Sequence, residues 1–334
     1  LNDCWGWVGP NGKEYAIVGI QSGGAGIIDI STPTAPVLLQ TIPGVPSLWR
    51  DMKSFGNYVY VVNDDGGAGG IGLLIIDMST LPNTVAYKDT VLANNTVTHN
   101  LYIDDGYAYL TGSDDNPGIT ILDVATDPWR PSFVGEYTTT YVHDVYVRNN
   151  LAYSAELGVG LPILDVSNKA NPTILGNRTY INNFTHNTWL SDDNTVCFTT
   201  DEQAEGWVYA WDVTDPTNIE YLDGIRSSLS NGDAIPHNTH VQDDFLVTSY
   251  YRDGLNIVDA QYPYNLIDGG YYDTSPLSGD GFDGNWGAYP VFPSGAVIAS
   301  DMQGGLFVFD VNYQRACYLE GTVTDATTNL ELPG

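Results

Sequence analysis

Four of the five histidines occupy one recurring place. His99, His143, His186 and His237 each open a short alternating strand, and the next residues are Asn100, Asp144, Asn187 and Asn238. The equivalent residues in the other repeats are Cys4, Arg50 and Trp286. If the repeats close into a ring, these imidazoles converge at one mouth of its central channel. Imidazoles with carboxylates beside them are the ligand set of zinc and related transition metals. The carboxylates on offer lie in loops opening on the same face: Asp64, Asp114, Asp201 and Asp301, with Asp65, Asp115, Glu156, Glu202 and Asp253 near them. Nearby negative charge favours the imidazolium, so these histidines are expected to hold their protons to higher pH. A second reading stands beside the metal. A polar residue repeated at a ring axis can bond the neighbouring repeat's backbone and fix the spacing, and the amides and aspartate that follow suit that role. His240, three residues beyond His237, could serve either.

Calcium is the other candidate cation, through the oxygen-rich loops Asn63-Asp64-Asp65-Gly66, Ser113-Asp114-Asp115-Asn116 or Asp280-Gly281-Phe282-Asp283-Gly284-Asn285. None has EF-hand spacing. Familiar enzyme templates fail: there is no Gly-x-Ser-x-Gly elbow, no His-Glu-x-x-His and no phosphate loop. Gly66-Gly67-Ala68-Gly69-Gly70 reads as a loop between strands that opens no helix, so it offers no helix N-terminus to an anion. Asn94, Asn177 and Asn183 begin Asn-x-Thr sequons, which matter only in a glycosylating host.

What positions these residues is a phrase that returns seven times, an apolar strand ending in Asp29, Asp77, Asp123, Asp165, Asp212, Asp259 or Asp310. Successive aspartates are 42 to 51 residues apart. A period in the forties with several short strands per repeat predicts a β-propeller. The expected fold is therefore all-β, a seven-bladed propeller of four-stranded antiparallel blades over 1–315. Within a repeat, Asn100 to Asp104, Tyr107 to Leu110, Ile119 to Val124 and Ser132 to Tyr137 read as strands, with Asp105-Gly106 as a hairpin turn. The repeated Asp is read as an Asx turn, its carboxylate bonding backbone N–H groups just beyond the strand. No stretch of about 11–18 residues carries helical periodicity.

The repeated pattern, His-Asn/Asp, Tyr-Ala-Tyr, Ile-Leu-Asp-Val and a Pro-turn, resembles the LVIVD-repeat propellers. Asp3-Cys4-Trp5-Gly6-Trp7 and Gly284-Asn285-Trp286-Gly287-Ala288-Tyr289-Pro290 resemble, more finely, the choice-of-anchor B proteins. That resemblance implies a bacterial exported protein displayed at the cell surface. The segment 316–334, with Gly321-Thr322-Val323-Thr324-Asp325, resembles the start of a carboxypeptidase-regulatory-like β-sandwich. Its other reading is the outer strand of blade seven.

Forty-one acids stand against 11 bases, a formal net charge of -30. Such a surface repels phosphate backbones, so nucleic acid and anionic membrane are excluded as natural partners. No run reaches the ~18 apolar residues of a membrane span. The chain opens on Leu1-Asn2-Asp3-Cys4-Trp5 without a basic and apolar leader, leaving a cytosolic protein or a processed export as readings. Cys4, Cys197 and Cys317 have no metal-ligand spacing, and an odd number leaves one thiol unpaired. Cys4 and Cys317 fall on inner and outer parts of adjacent blades, too far apart for a bridge.

The expected function is a non-enzymatic, extracellular propeller that binds a protein or glycan, or copies of itself in an assembly. The alternative is a metal-dependent enzyme using the histidines at the channel mouth. Zinc and calcium are the cations to consider.

Overall fold

A computed structural model describes residues 1–65, 72–90, 97–229, 232–319 and 321–331. Seven antiparallel sheets follow one another along the chain, six of four strands and a seventh described with three. Within each, strands pair in chain order from the innermost outwards. The inner strands are Cys4–Val8, Met52–Phe55, Asn100–Asp104, Asp144–Arg148, Thr185–Leu190, Pro236–Gln242 and Asn285–Tyr289. The all-β, seven-bladed propeller expected from the repeat is the fold. Among the described residues the one helical element is a 3₁₀ turn, Met78–Thr80, and no helix is long and apolar enough to cross a membrane.

Turn chemistry accounts for each blade's shape. The inner hairpins turn through paired positive φ at Asp105 (47°) and Gly106 (78°), Asn149 (54°) and Asn150 (63°), and Asp243 (50°) and Asp244 (59°). Turns of that kind match the right-handed twist of the strands. The recurring Asp works as an Asx turn: Asp29, Asp77, Asp123, Asp165, Asp212 and Asp259 each accept from the backbone N–H two residues on, at 2.8–3.0 Å. In five blades the ladder between third and outer strands shifts register one or two residues before that Asp, at Ile27/Ile28, Ile121/Leu122, Ile163/Leu164, Ala210/Trp211 and Ile257/Val258. An irregularity of this kind adds local twist to the outer strand.

The core lies between blades rather than within them. Tyr109, Ile119 and Ile121 of blade three pack with Val145, Val147 and Leu164 of blade four, all buried. Each such aliphatic residue contributes about 1.5–3 kcal/mol relative to exposure. Blade one meets blade seven through Glu14, whose carboxylate accepts from the Ser294 backbone N–H (2.8 Å) and hydroxyl (2.6 Å). After Val311 no strand pairs with Gly305–Asp310 among the described residues. The chain crosses to blade six instead, where Arg315 and the Ala316 N–H bond the Asp259 carboxylate at 2.8 and 2.7 Å. All three cysteines are free, with Cys4 and Cys197 buried.

Below its mouth the channel is filled in two layers. The upper holds Asp3, Asp51 and Asp144 with the amides Asn100, Asn187 and Asn238, and the lower is a ring of large side chains. Around that ring, Tyr102, Tyr146, Trp189 and His240 follow one another with centroids 4.4–4.7 Å apart, and Trp5 and Tyr289 are 4.8 Å apart. Lys53 fills blade two's place, its ammonium 4.8 Å from the Trp5 ring centroid. Its Nζ also lies 2.7 Å from both Asp51 oxygens. Burial and the neighbouring Asp51 push the Asp3 carboxyl well up, and burial pushes Asp144 up to about 6.

One buried lysine therefore faces three carboxyl groups. Lys53→Met should cost about 3–5 kcal/mol at pH 7, because it strands buried negative charge. Urea unfolding measures it, and Asp51→Asn in the same chain should restore part of the loss. A cost under about 1 kcal/mol would show that water reaches this layer and screens it.

Candidate functional site: the channel mouth

The recurring histidine position forms one rim. His143 Nδ1 donates to the His186 carbonyl (3.1 Å), His186 Nδ1 to the His237 carbonyl (3.1 Å), and His237 Nδ1 to the Trp286 carbonyl (2.5 Å). A carbonyl only accepts, so in the neutral rings these bonds fix the proton on Nδ1 and leave Nε2 with a lone pair. The expected blade-to-blade bonding is therefore present, and it aims the second nitrogen of each ring. Ring centroids along His99, His143, His186 and His237 are 4.1, 4.1 and 4.5 Å apart. His99 departs from the chain by donating Nδ1–H to Asp64 Oδ2 at 2.7 Å.

In blade one the equivalent position is Asn2 rather than Cys4. The Asn2 N–H bonds the Gly19 carbonyl as the His99 N–H bonds that of Thr111. Arg50 and Trp286 complete the rim.

The carboxylate that meets these imidazoles is Glu202. Its Oε2 lies 3.4 Å from His186 Nε2 and its Oε1 3.8 Å from His237 Nε2. Tyr251 fixes it by donating its hydroxyl to Oε1 at 2.6 Å. Among the described residues one metal-competent group stands out: His143, His186 and Glu202 bring one donor atom each within 4.8 Å of one another. The space between them and the rim is about 40 Å³. That admits an ion with a water or two.

The other acids singled out in the sequence are occupied elsewhere. Asp201 accepts from the Tyr180 hydroxyl at 2.6 Å, facing away from the rim, and burial raises it to about 6. Asp301 is fully buried, accepting from the Thr274 hydroxyl (2.8 Å) and the Gln303 N–H (2.8 Å). Asp114 accepts from the Val97 N–H at 3.4 Å. Asp64 alone of the four joins a histidine. Of the oxygen-rich loops, Asp283 is paired with Arg252 at 3.0 Å. Gly66 to Gly70 and Asn94 lie outside the described residues.

Charge on the rim runs opposite to expectation. Burial pushes His186 and His237 down to about 3, and burial with the neighbouring imidazoles pushes His143 well down. Desolvation of the cation outweighs the single carboxylate in reach. At neutral pH His143, His186 and His237 are therefore uncharged imidazoles, the form that ligates metals.

Repeats, strand order and a filled axial channel together define a seven-bladed β-propeller. The LVIVD repeat model matches residues 12–42, 97–139 and 140–179, so blades one, three and four carry LVIVD repeats. No curated protein matches the chain. Among solved structures, a Bacteroides uniformis protein provisionally named a 6-phosphogluconolactonase is 11% identical over 93% of this chain and 90% of its own, with a TM-score of 0.67. A Bacteroides fragilis protein of the same provisional name is 12% identical, covering 96% and 93%, also at 0.67. The β-propeller domain of Cps50 from Myceliophteria thermophila is 9% identical, covering 92% and 96%, at 0.60. At such identities these likenesses show the fold alone.

Proposed function

We propose that this chain is an exported, non-enzymatic binding propeller whose channel mouth holds one zinc-class cation. The observation that carries the cation is the convergence of neutral, backbone-oriented imidazoles on Glu202. His143 and His186 would supply Nε2 and Glu202 an oxygen, with His237 Nε2 3.8 Å from the same carboxylate, a nitrogen-rich set suited to zinc or copper rather than to calcium. The backbone bonds at Nδ1 and the Tyr251 hydroxyl on Glu202 are the orienting contacts that metal ligands need. The small volume of the mouth supports a structural or bridging ion over turnover of a substrate. Support for export comes from the formal charge of -30 and the resemblance of the end motifs to choice-of-anchor B proteins.

The test is elemental analysis of the protein after chelator treatment, zinc loading and exhaustive dialysis. One zinc per chain is expected, with a raised melting temperature because the ion binds only the folded state. Retention of no zinc, and none of copper, sinks the proposal.

A further inference from the structure

Blade five breaks the repeat where the other blades agree. The residue five before the recurring Asp, where the third strand begins, is glycine in six blades: Gly24, Gly72, Gly118, Gly160, Gly254 and Gly305. Five of these turn through positive φ, from 61° to 112°, at Gly24, Gly72, Gly160, Gly254 and Gly305. Blade five has Trp207 there. Two and four residues on, where other blades place small, aliphatic or phenyl side chains, it has Tyr209 and Trp211. Residues two apart in a strand share a face, so all three rings stand on one side of Val208–Asp212. Trp207 and Tyr209 are nearly parallel, 14° apart with centroids at 5.9 Å. Tyr180 and Tyr221 close the sides, edge-on to Tyr209 at 5.2 and 6.1 Å. The result is an open cleft of about 500 Å³ between blades four and five, within the size range of ligand sites.

Its charged groups are cationic, in a chain with only 11 basic residues. The Arg178 guanidinium lies 5.5 Å from the Trp211 ring centroid and that of Arg226 4.7 Å from Trp207. Arg178 Nη1 donates to the Ile219 carbonyl at 3.3 Å, while its buried Nε has no partner. Aromatic walls with a guanidinium among them suit a molecule that is apolar on its face and anionic at its edge.

We infer that this cleft binds a saccharide of one or two pyranose rings bearing a carboxylate. The C–H face of the sugar rests against Tyr209 and Trp207, and the carboxylate meets the Arg178 guanidinium as a charge-assisted pair. This names a ligand class for the binding module proposed above, on residues that share nothing with the channel mouth.

The probes are α-1,4-digalacturonic acid, its neutral counterpart α-1,4-galactobiose, and a proline-rich decapeptide, each titrated against tryptophan fluorescence. Saturable binding of the acidic sugar, roughly tenfold tighter than the neutral one, is expected for one charge-assisted pair. Trp207→Gly installs the residue of the other six blades and should lower affinity about tenfold with an unchanged melting temperature. Arg178→Gln should erase the preference for the acidic sugar. Glu202→Gln, which addresses only the metal, should leave sugar binding intact. Equal binding of both sugars, binding of the peptide alone, or no effect of Trp207→Gly and Arg178→Gln each overturns the assignment.

Discussion

Glu202→Gln is expected to weaken zinc binding by on the order of 100-fold while leaving the metal-free melting temperature unchanged. Glu202 is the one carboxylate within reach of His186 and His237. Gln keeps its length and the carbonyl oxygen that accepts from Tyr251, but loses the negative charge. A structural zinc site draws on the order of 10–16 kcal/mol from four ligands, so losing one costs at least two decades. Asp201→Asn, at the adjacent residue, should leave zinc affinity within about twofold, since Asp201 serves Tyr180. His186→Ala should lower both zinc affinity and the metal-free melting temperature, because it also removes the bond to the His237 carbonyl. The contrast separates ligation from blade spacing in two measurements. Affinity should also stay flat from pH 7.5 to 6, where an imidazole of ordinary pKa becomes more than half protonated. His186 and His237, held near 3, have no proton to displace in that window. A steep fall there, or an effect of Asp201→Asn equal to that of Glu202→Gln, contradicts the assignment.

Acid should destabilise the metal-free protein well before ordinary carboxylates titrate. His143, His186, His237 and His240 are buried with folded pKa values pushed down, to about 3 for the last three. The unfolded chain binds protons on these groups below about 6.5 and the folded chain does not, so stability falls as pH falls through that window. From pH 7 to 5 each contributes a loss of about 2 kcal/mol, set by the unfolded value alone. Asp144 and Asp201 act the other way, since folded values of about 6 mean the folded chain takes up protons first. Those two return roughly 1 kcal/mol each, and Asp3, pushed well up, acts in the same direction, so the net loss is a few kcal/mol. Urea midpoints at the two pH values measure it. His240→Phe, whose ring would keep the packing between Trp5 and Trp189, should remove about a quarter of the histidine share. A midpoint independent of pH between 7 and 5 would show that water reaches these rings.

The ring of blades could be read from the chain because each blade spells its own ends. Asp123 or Asp165 makes the same turn wherever it occurs, and Asp105-Gly106 needs no distant partner to make a hairpin. The histidines were legible for the same reason. Which of the loop acids meets them was not: Asp201 and Glu202 are consecutive acids at a strand end, where neighbouring side chains take different directions. Choosing between them needs to know that Tyr180, from the preceding connector, already occupies Asp201. The sign of the histidine shifts was hidden too, since carboxylates can be counted in a sequence but depth cannot. In blade one the apolar pattern points to Cys4, and the register is set instead by the bond from the Asn2 N–H to the Gly19 carbonyl. The aromatic cleft was within reach, because six glycines and one tryptophan at a single repeat position is a signal that needs no coordinates.

The plugged channel makes the mouth a cul-de-sac. Below the rim, the space among the acids, amides and aromatic ring is about 10 Å³, too little to pass an ion with its water. Whatever sits among the histidines must therefore enter and leave by the same door. A second molecule, or a surface, docked over that face would act as a lid and turn a bound ion from an exchangeable guest into a trapped one. Release kinetics with a chelator, rather than affinity, would then report whether the propeller stands alone or is covered.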